Sequence, residues 1–373
     1  MKKILHISKY YPPYKGGIED VCYNIVRILH KSNSCQQKVI CFSGEKETTN
    51  ELYDGVHVLR VGSTMQIARQ VITLSYRKEL KKMIQEFKPD IIHFHAPNPL
   101  IAYYLLSIIP PHTELIVHWH SDIVAQRQLY KLVKKVEDRL LQRASVILAT
   151  SPNYIDDSLP LKKYTYKVEI LQNFIDPSKF LLTPDLLNKV DAIKKQYNNV
   201  PILFFLGRHV YYKGIQFLID AEPLITHDCV LLIGGKGELT EELKRKNKSS
   251  RIHFLGRIDD EDLPMYYCAS DIFVFPSVTK NEAFGVALAE AMYCKNAAVT
   301  YTIPGSGVNW VSLHGVTGIE SENGNIEQLS RAINTLLADT ELRKTYAEAA
   351  KKRVEDNFTI EIIEERLKKL YSI

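Results

Sequence analysis

Two carboxylates and two cations in the second half of the chain have the types and spacing needed to hold a phosphorylated sugar. Arg208 and Lys213 are five residues apart in a loop-like segment, so both side chains can converge on one anion. Glu282 and Glu290 are eight apart, with Gly285 between them. A carboxylate accepts hydrogen bonds from paired hydroxyls, and a glycine at a helix start exposes N–H groups to phosphate. Solvated surface charges on a core helix are the ordinary alternative.

A pair of glycines in the first half has similar potential. Gly16 and Gly17 follow a short apolar segment and open a helical pattern, so their N–H groups could approach a phosphate. A plain turn that opens a helix explains the same residues. The chain contains neither G-x-G-x-x-G nor G-K-[ST], which excludes a dinucleotide fingerprint and a Walker A loop.

Two histidine pairs end apolar segments of the first half. A histidine at a strand end, such as His120, can donate a hydrogen bond or carry a proton. We predict no metal site at His118 and His120, because we place residues two apart on opposite faces of their strand and find no third clustered ligand. His93 and His95 are predicted to be structural or to line a cleft.

These residues are positioned by short apolar strands that alternate with amphipathic stretches, an order typical of parallel sheets wrapped by helices. The predicted strands of the first half are 3–7, 38–42, 56–61, 91–94, 115–118 and 146–149, and its predicted helices are 18–30, 75–87 and 124–143. The second half is predicted to have strands at 202–206, 230–233, 252–255, 272–275 and 297–300, and a first helix at 214–224. Residues 176–200 are interpreted as a connection.

The simplest interpretation is an α/β chain of two doubly wound domains, residues 1–178 and 179–373. The tail, about 356–373, has an amphipathic helical pattern and is expected to pack back on the first domain. Ligands of open α/β sheets bind at the carboxyl ends of strands, so two facing domains would place a site between them.

The composition is that of a globular protein, with 373 residues, 45% hydrophobic and 24% charged. Its net charge of +5 is uneven: residues 1–185 hold 25 basic and 18 acidic side chains, giving +7, and residues 186–373 hold 23 and 25, giving −2. The basic half indicates an anionic membrane, nucleic acid or a phosphorylated substrate as partner. Scattered cysteines, with no signal peptide or bilayer-length apolar run, predict a cytoplasmic protein with reduced thiols.

In combination the motifs resemble those of retaining glycosyltransferases of family 4 (GT4), whose GT-B fold has two Rossmann-like domains facing across a cleft. The resemblance spans the chain and rests on five signatures in order: Gly16-Gly17, the H-S-D of His120–Asp122, the G-R-x4-K-G of Gly207–Gly214, the G-G-K-G-E of Gly234–Glu238, and the E-x7-E of Glu282–Glu290. The sequence departs from the family at Phe174, where glycine is common near the hinge.

The resemblance implies a role for individual residues of the second half. Arg208 and Lys213 match the basic pair that binds the donor diphosphate. Glu282 matches the contact to the donor sugar, and Glu290 matches the carboxylate that holds the ribose. Further donor contacts are implied at Gly235, Arg257, Ile258, Phe284, Gly285 and Val286, with Arg257 and Ile258 near the base.

In the first half, Gly16 and Gly17 match a loop that closes on the donor phosphate, and His120 matches a histidine near the reacting sugar. The implied catalytic set is therefore His120, Arg208, Lys213 and Glu282, with Glu282 not acting as a covalent nucleophile. We predict no cofactor and no metal, because fixed cations and helix N-termini can stabilise a departing nucleoside diphosphate.

The implied activity is retaining transfer of a hexose-type sugar from a GDP- or UDP-linked donor to a lipid-linked glycan, in O-antigen or capsule synthesis. The segment Ile303–Val311 looks like that of O-antigen mannosyltransferases and favours GDP-mannose-like donors. The basic half would carry the acceptor site and contact the anionic inner face of the cytoplasmic membrane peripherally. Basic residues cluster at 77–88 and 127–143. A solvated face on core helices is the alternative.

Other functions stay open at this stage. A nucleotide-sugar epimerase or a phosphorylase could share the fold. An NAD-dependent oxidoreductase is disfavoured by the missing glycine fingerprint. A non-catalytic nucleic-acid-binding protein is disfavoured because the basic residues are not interleaved with stacking aromatics.

Overall fold

The computed structural model describes residues 1–14, 16–63, 65–67, 70–73, 75–123 and 127–373, and for residues 65–67, 70–72 and 127–132 it describes the backbone alone. The chain divides into two compact units. Unit 1 comprises Met1–Thr150, Ser158–Leu171 and Ile363–Ile373. Unit 2 comprises Ser151–Asp157 and Gln172–Ile362.

Unit 1 is built on a mostly parallel sheet with strand order β10-β9-β8-β7-β1-β2-β4-β3. Its strands are β1 (Lys3–Ile7), β2 (Gln36–Phe42), β3 (Thr49–Tyr53), β4 (Val56–Val61), β7 (Ile91–Ala96), β8 (Glu114–Trp119), β9 (Val146–Ala149) and β10 (Val168–Ile170), with a separate hairpin of β5 (Met65–Ile67) and β6 (Gln70–Ile72). Its helices are α1 (Gly17–Lys31), α2 (Ser75–Phe87), α3 (Pro99–Leu106) and α4 (Arg127–Arg143). Only β3 pairs antiparallel in this sheet, as its edge strand.

Unit 2 has a fully parallel sheet with strand order β13-β12-β11-β14-β15-β16. Its strands are β11 (Ile202–Leu206), β12 (Val230–Gly234), β13 (Ile252–Gly256), β14 (Ile272–Phe275), β15 (Ala297–Tyr301) and β16 (Gly318–Ser321). Its helices are α5 (Pro152–Asp157), α6 (Pro184–Gln196), α7 (Ile215–Ala221), α8 (Thr240–Lys246), α9 (Leu263–Ala269), α10 (Val286–Tyr293), α11 (Val308–Val311), α12 (Ile326–Ala338) and α13 (Thr340–Asn357). The strands β11, β12 and β14 are apolar throughout, as expected where helices cover both faces of a parallel sheet.

Each sheet has one position where the direction of strand progression reverses. β1 pairs with both β2 and β7, and β11 pairs with both β12 and β14. The loops after the two central strands therefore leave the sheet on opposite sides of a crevice, which is where open α/β sheets bind ligands. In unit 2 this point lies between the loops that follow Leu206 and Phe275.

The final helix, α14 (Ile360–Tyr371), belongs to unit 1 from Ile363 onward. Ile363, Leu367 and Tyr371 form its buried face. The hydroxyl of Tyr371 is hydrogen-bonded to Nδ1 of His93, and Lys2 Nζ donates to the Tyr371 carbonyl at 2.7 Å. The chain end is thus fixed to the first strands of unit 1.

The interpretation of residues 176–200 as a connection is wrong, because α6 occupies most of this segment. Pro184 stands at the first turn, where its missing N–H costs nothing, and Thr183 caps the helix by accepting from Leu186 N at 3.2 Å. Leu186, Val190 and Ile193 then form a buried stripe at helical spacing. Over the described residues, no helix is both long and apolar enough to cross a bilayer.

Candidate functional site

The strand order of unit 2 brings together two of the predicted site residues. Lys213 follows β11 and Glu282 follows β14, and Lys213 Nζ donates to Glu282 Oε2. The two side chains are 12% and 13% exposed, so the ion pair is largely withdrawn from water. Ser277 Oγ donates to the same carboxylate oxygen at 3.3 Å, and Lys213 Nζ lies 4.8 Å from the Phe275 ring centroid.

The two loops that carry this pair touch through their backbones. Val278 N donates to the Tyr212 carbonyl at 2.9 Å. Gly214 has a left-handed conformation (φ +70°), and a Cβ there would lie 1.8 Å from the Pro276 oxygen. Glycine is therefore required at position 214 for two reasons, conformation and space. Gly235 is similarly constrained, since its φ is +110° and a Cβ would lie 1.9 Å from the Gly207 oxygen.

The segment after β15 donates hydrogen bonds to the backbone of the Glu282 loop. Ser306 Oγ donates to the Glu282 carbonyl, and Gly307 N donates to the Ala283 carbonyl at 3.1 Å. A Cβ at Gly307 would lie 2.2 Å from that carbonyl oxygen. In the sequence, this segment served only to favour GDP-mannose-like donors, and its contacts with the Glu282 loop were not predicted.

Helix α10 begins where the prediction placed it, with Gly285 as its N-cap at φ +91°. The first N–H groups of a helix have no partner within the helix and attract anions. Val286, the first helical residue, is 37% exposed. The Phe284 side chain instead packs in the core against Phe358, with ring centroids 5.3 Å apart. Only the backbone of Phe284 can therefore contact a ligand at this helix start.

Glu290 lies within α10 and receives a hydrogen bond that the sequence did not reveal. Tyr267, on α9, donates from its hydroxyl to Glu290 Oε2 at 2.9 Å. Burial first, and then the Glu290 charge, raise the pKa of Tyr267 well above its usual value, so the phenol stays a donor. The tyrosine holds one carboxylate oxygen in place and fixes the rotamer of Glu290.

The other predicted donor residues lie at the same edge of the sheet. Arg208 and Arg257 follow β11 and β13 and are exposed. Ile258 packs over Gly234, where an added Cβ would lie 2.8 Å from Ile258 Cδ1. The loop beyond Arg257 contains one D-x-D triplet, Asp260-Glu261-Asp262, and the carboxylates of such a triplet can hold a divalent cation. The sequence motifs therefore do not support the prediction that no metal takes part.

In unit 1, the predicted glycine pair opens α1. Gly16 is the N-cap, and its extended φ of −179° is one that any residue can adopt. A Cβ at Gly16 would lie 2.3 Å from Glu19 Oε2, so the Glu19 carboxylate sits at this helix start. Lys15, which precedes the pair in the predicted motif, lies outside the described residues.

His120 is buried in a row of five histidines, in which the rings of His93, His95, His118 and His120 stack and the ring of His6 is tilted against His93. The register explains the row, since His6 on β1 pairs with His93 on β7, and His95 pairs with His118 on β8. His95 Nδ1 and His120 Nε2 share a hydrogen bond of 3.0 Å. Burial lowers the pKa of His120 to about 3, so the ring is neutral near pH 7.

The placement of His118 and His120 on opposite faces is wrong. Alternate residues of a strand share a face, and these rings stack at 4.1 Å. Nitrogens of His93, His95 and His118 even lie within 4.8 Å of one another. The expectation that no third ligand is clustered here is therefore wrong. Burial lowers the pKa of His93, His95 and His118 well below its usual value, so these rings are neutral near pH 7.

Two family profiles match the chain in sequence. The first, Glycosyltransferase Family 4, covers residues 15–179, and the second, Glycosyl transferases group 1, covers residues 188–353. Their joint order matches the order of units 1 and 2 along the chain.

Relatives and solved structures agree with these profiles. O-antigen chain mannosyltransferase C of Escherichia coli is 30% identical over 99% of this chain and 98% of its own length. D-rhamnosyltransferase WbpZ of Pseudomonas aeruginosa is 31% identical over 85% and 82%. The structure of Anabaena HepE in complex with UDP matches with a TM-score of 0.77 at 19% identity, covering 100% of both chains. The fold is therefore GT-B, and the chain belongs to glycosyltransferase family 4.

The contact between the two loops of unit 2 can be tested at Gly214. We expect Gly214→Ala to lower the free energy of unfolding by at least about 3 kcal/mol, because the methyl group adds a clash with Pro276 to a left-handed strain of about 1–2 kcal/mol. Urea unfolding followed by tryptophan fluorescence measures this.

Gly315→Ala is the matched control, since Gly315 has the same conformation (φ +71°) with nothing within 4 Å of its added Cβ. We expect this variant to show the strain alone, about 1–2 kcal/mol. Equal losses in both variants would mean that the Pro276 contact does not constrain the loops.

The histidine row should make unit 1 sensitive to mild acid. The unfolded chain takes up protons below pH 6.5, whereas burial lowers the pKa of His6 to about 4, of His120 to about 3, and of His93, His95 and His118 well below 6.5. Stability is therefore complete above pH 6.5 and lost as the pH falls. From pH 6.5 to 5.5 we expect the free energy of unfolding to drop by about 1 kcal/mol for each histidine.

Trp119 reports on this unit, and Trp310 lies in unit 2, so Trp310→Phe leaves one fluorescent probe beside the row. In the Trp310→Phe protein, His118→Gln should reduce the drop in the free energy of unfolding between pH 6.5 and 5.5 by about 1 kcal/mol, the contribution of one histidine. His57→Gln, at an exposed histidine of the same unit, should leave it unchanged. A pH dependence that both variants reduce equally would contradict the assignment to the row.

Proposed function

We propose that the protein is a retaining, metal-independent glycosyltransferase that moves a hexose-type sugar from a nucleotide sugar to a lipid-linked glycan. The observation that carries the proposal is the Lys213–Glu282 pair at the reversal point of the unit 2 sheet. It occurs in a chain similar over 99% of its length to an O-antigen chain mannosyltransferase. The pathway we propose is accordingly the synthesis of a surface polysaccharide, either O-antigen or capsule.

The electrostatics of unit 2 support a diphosphate at this point. Lys213, Arg208 and the start of α10 are positive groups at the carboxyl edge of one sheet, and Lys213 is held in place by its ion pair with Glu282. Positive groups held in place before the reaction stabilise the charge that develops on a departing nucleoside diphosphate, without reorganising during the reaction. The diphosphate would replace Glu282 as the partner of Lys213. The Glu282 carboxylate would then contact the donor sugar.

The ribose would bind further along α10. Tyr267 holds one oxygen of Glu290 in place, and a carboxylate positioned in this way can accept hydrogen bonds from vicinal hydroxyls. This contact does not discriminate between nucleotides. The similarity to a mannosyltransferase and a rhamnosyltransferase supports a GDP-linked donor, and the UDP bound by Anabaena HepE supports the UDP alternative.

The acceptor is proposed to bind unit 1, and the protein to act peripherally at the inner face of the cytoplasmic membrane. On α2 the buried face is apolar (Tyr76, Leu80, Ile84), and basic side chains such as Lys78 and Lys82 are exposed. Lys134, Lys135 and Arg139 on α4 are also exposed. Arg143 has a structural role instead, donating to the Thr113 carbonyl at 2.7 Å.

Donor binding can be measured as a ligand-induced rise in Tm with GDP, UDP and dTDP sugars. We expect one nucleotide class to raise Tm, and Lys213→Ala to weaken its binding roughly ten- to hundredfold, because charge-assisted hydrogen bonds contribute about 1.5–3 kcal/mol. Glu290→Gln should also weaken nucleotide binding.

Turnover is tested by the release of nucleoside diphosphate in the presence of EDTA. We expect release only when a glycan acceptor is added, whereas the reaction of an epimerase or a phosphorylase would not depend on that acceptor.

Lys246→Ala is the control for a lost ion pair, since Lys246 bonds Asp220 at 2.6 Å on the surface of the same unit. Lys213→Ala strands Glu282 and should destabilise the unliganded protein, so Lys213→Ala/Glu282→Gln restores neutrality and separates folding from binding. If the double variant still shows the full rise in Tm, the donor does not bind at this pair.

Membrane contact can be measured by sedimentation with vesicles containing anionic lipid. We expect Lys134→Glu/Lys135→Glu/Arg139→Glu to lower partitioning roughly a hundredfold, since each basic side chain near such a surface contributes about 1 kcal/mol. Lys131, a neighbouring basic residue of the predicted cluster, lies outside the described side chains.

The matched control reverses three exposed charges of unit 2, Lys244→Glu/Arg245→Glu/Lys248→Glu. It changes net charge equally, so an equal loss of partitioning would show that overall charge, and not the α4 surface, determines binding. Partitioning of the parent protein that does not decrease with added salt would oppose an electrostatic contact.

A further inference from the structure

Two of the six cysteines meet in unit 2. Cys268 lies in α9, and Cys294 is the C-cap of α10. Their thiols share a side-chain hydrogen bond, and each is a free thiol that is partly exposed. This hydrogen bond lowers the pKa of Cys268, whereas burial is the main cause of a raised pKa at Cys294.

Both thiols line an open cavity of about 750 Å³ on the surface of unit 2. Lys194 and Lys351 also line it, and their charges favour the Cys268 thiolate. A small polar oxidant can thus reach this pair from solvent. A thiolate held by a hydrogen-bond donor and nearby ammonium groups is the reactive form of cysteine.

The remaining cysteines have a different environment. Cys22, Cys35, Cys41 and Cys229 are buried, and burial raises the pKa of each thiol. A buried thiol with a raised pKa is an inert core group. The reactive chemistry is therefore confined to Cys268 and its neighbour Cys294.

We propose that Cys268 and Cys294 form a redox site that hydrogen peroxide converts to an intramolecular disulfide. The Cys268 thiolate attacks one peroxide oxygen, so an S–O bond forms and the O–O bond breaks. The hydroxide that leaves takes up the proton released by the Cys268 thiol and becomes water. The Cys294 sulfur then attacks the Cys268 sulfenic sulfur. An S–S bond forms, the S–O bond breaks, and the departing hydroxide takes up the Cys294 proton as water. Two thiols and one peroxide thereby give one disulfide and two waters.

The disulfide would join two helices that meet at Glu290. Tyr267 precedes Cys268 directly, and Cys294 N donates to the Glu290 carbonyl at 3.1 Å. A disulfide holds its sulfurs about 2.05 Å apart, closer than a thiol hydrogen bond does, so its formation draws α9 and α10 together. This movement would change the geometry of the hydrogen bond from Tyr267 on α9 to Glu290 on α10. The effect on Glu290 rests on the proposed function, in which Glu290 holds the ribose. Formation of the disulfide is independent of that function.

The site is tested by peroxide treatment of the full-length protein, alkylation in denaturant without reduction, and peptide mass spectrometry. We expect a Cys268–Cys294 cross-link to form first, at least tenfold faster than oxidation of any other cysteine. In Cys294→Ser, dimedone should label Cys268, and in Cys268→Ser, Cys294 should stay unlabelled. Cys229→Ser is the matched control and should form the cross-link at the parent rate. Oxidation of Cys268 without a cross-link, or equal rates at buried cysteines, would overturn the proposal.

The consequence is tested separately through the rise in Tm with the nucleotide that binds the reduced protein. We expect at least threefold weaker binding after cross-linking, reversed by dithiothreitol and absent in Cys294→Ser. If the cross-link forms and binding does not change, the redox site stands and its coupling to Glu290 is refuted. If the reduced protein binds no nucleotide sugar, the proposed function fails and the cross-linking result is unaffected.

Discussion

The parallel pairing of β11 with both β12 and β14 is the constraint on which the unit 2 site depends. This pairing places the carboxyl ends of β11 and β14 side by side, although about 70 residues separate them in sequence. Gly214 lets the two following loops approach until their backbones touch at Pro276. A larger residue at this position would separate the loops and, with them, the ammonium and carboxylate groups they carry.

The ion pair formed there is held in a costly environment. Lys213 and Glu282 lie largely out of water, where each charge alone is strongly destabilised. Each charge is therefore stable there only when it is paired with the other, or with a group that has the same sign as that partner. An anionic ligand that takes over Lys213 frees Glu282 only if that carboxylate finds a new donor. In the proposed function, the pair would therefore couple occupancy of a phosphate position to hydrogen bonding at Glu282, which Ser277 also contacts.

The sequence revealed the parts of this arrangement that depend on local pattern. Apolar runs such as 202–206 and 272–275 predicted β11 and β14 at their observed bounds, and the motif residues Lys213 and Glu282 proved to be neighbours. Contacts that depend on tertiary packing were missed. Ser306 and Tyr267 support the site from other loops and helices, and no local pattern connects them to Glu282 or Glu290. Helix α6 was missed because residues 176–200 were interpreted as a connection, although a proline such as Pro184 is compatible with the first turn of a helix.

The histidine row sharpens the meaning of the basic first half. Five imidazoles in one buried row could have added positive charge to unit 1, but burial keeps them neutral near pH 7. The charge of +7 over residues 1–185 therefore comes from lysine and arginine, and on α2 those side chains are exposed. In the proposed function, unit 2 would bind its anion with a few positive groups at one sheet edge and would need no net charge to do so. The excess in the first half is a property of its surface, where it can act on an extended anionic partner.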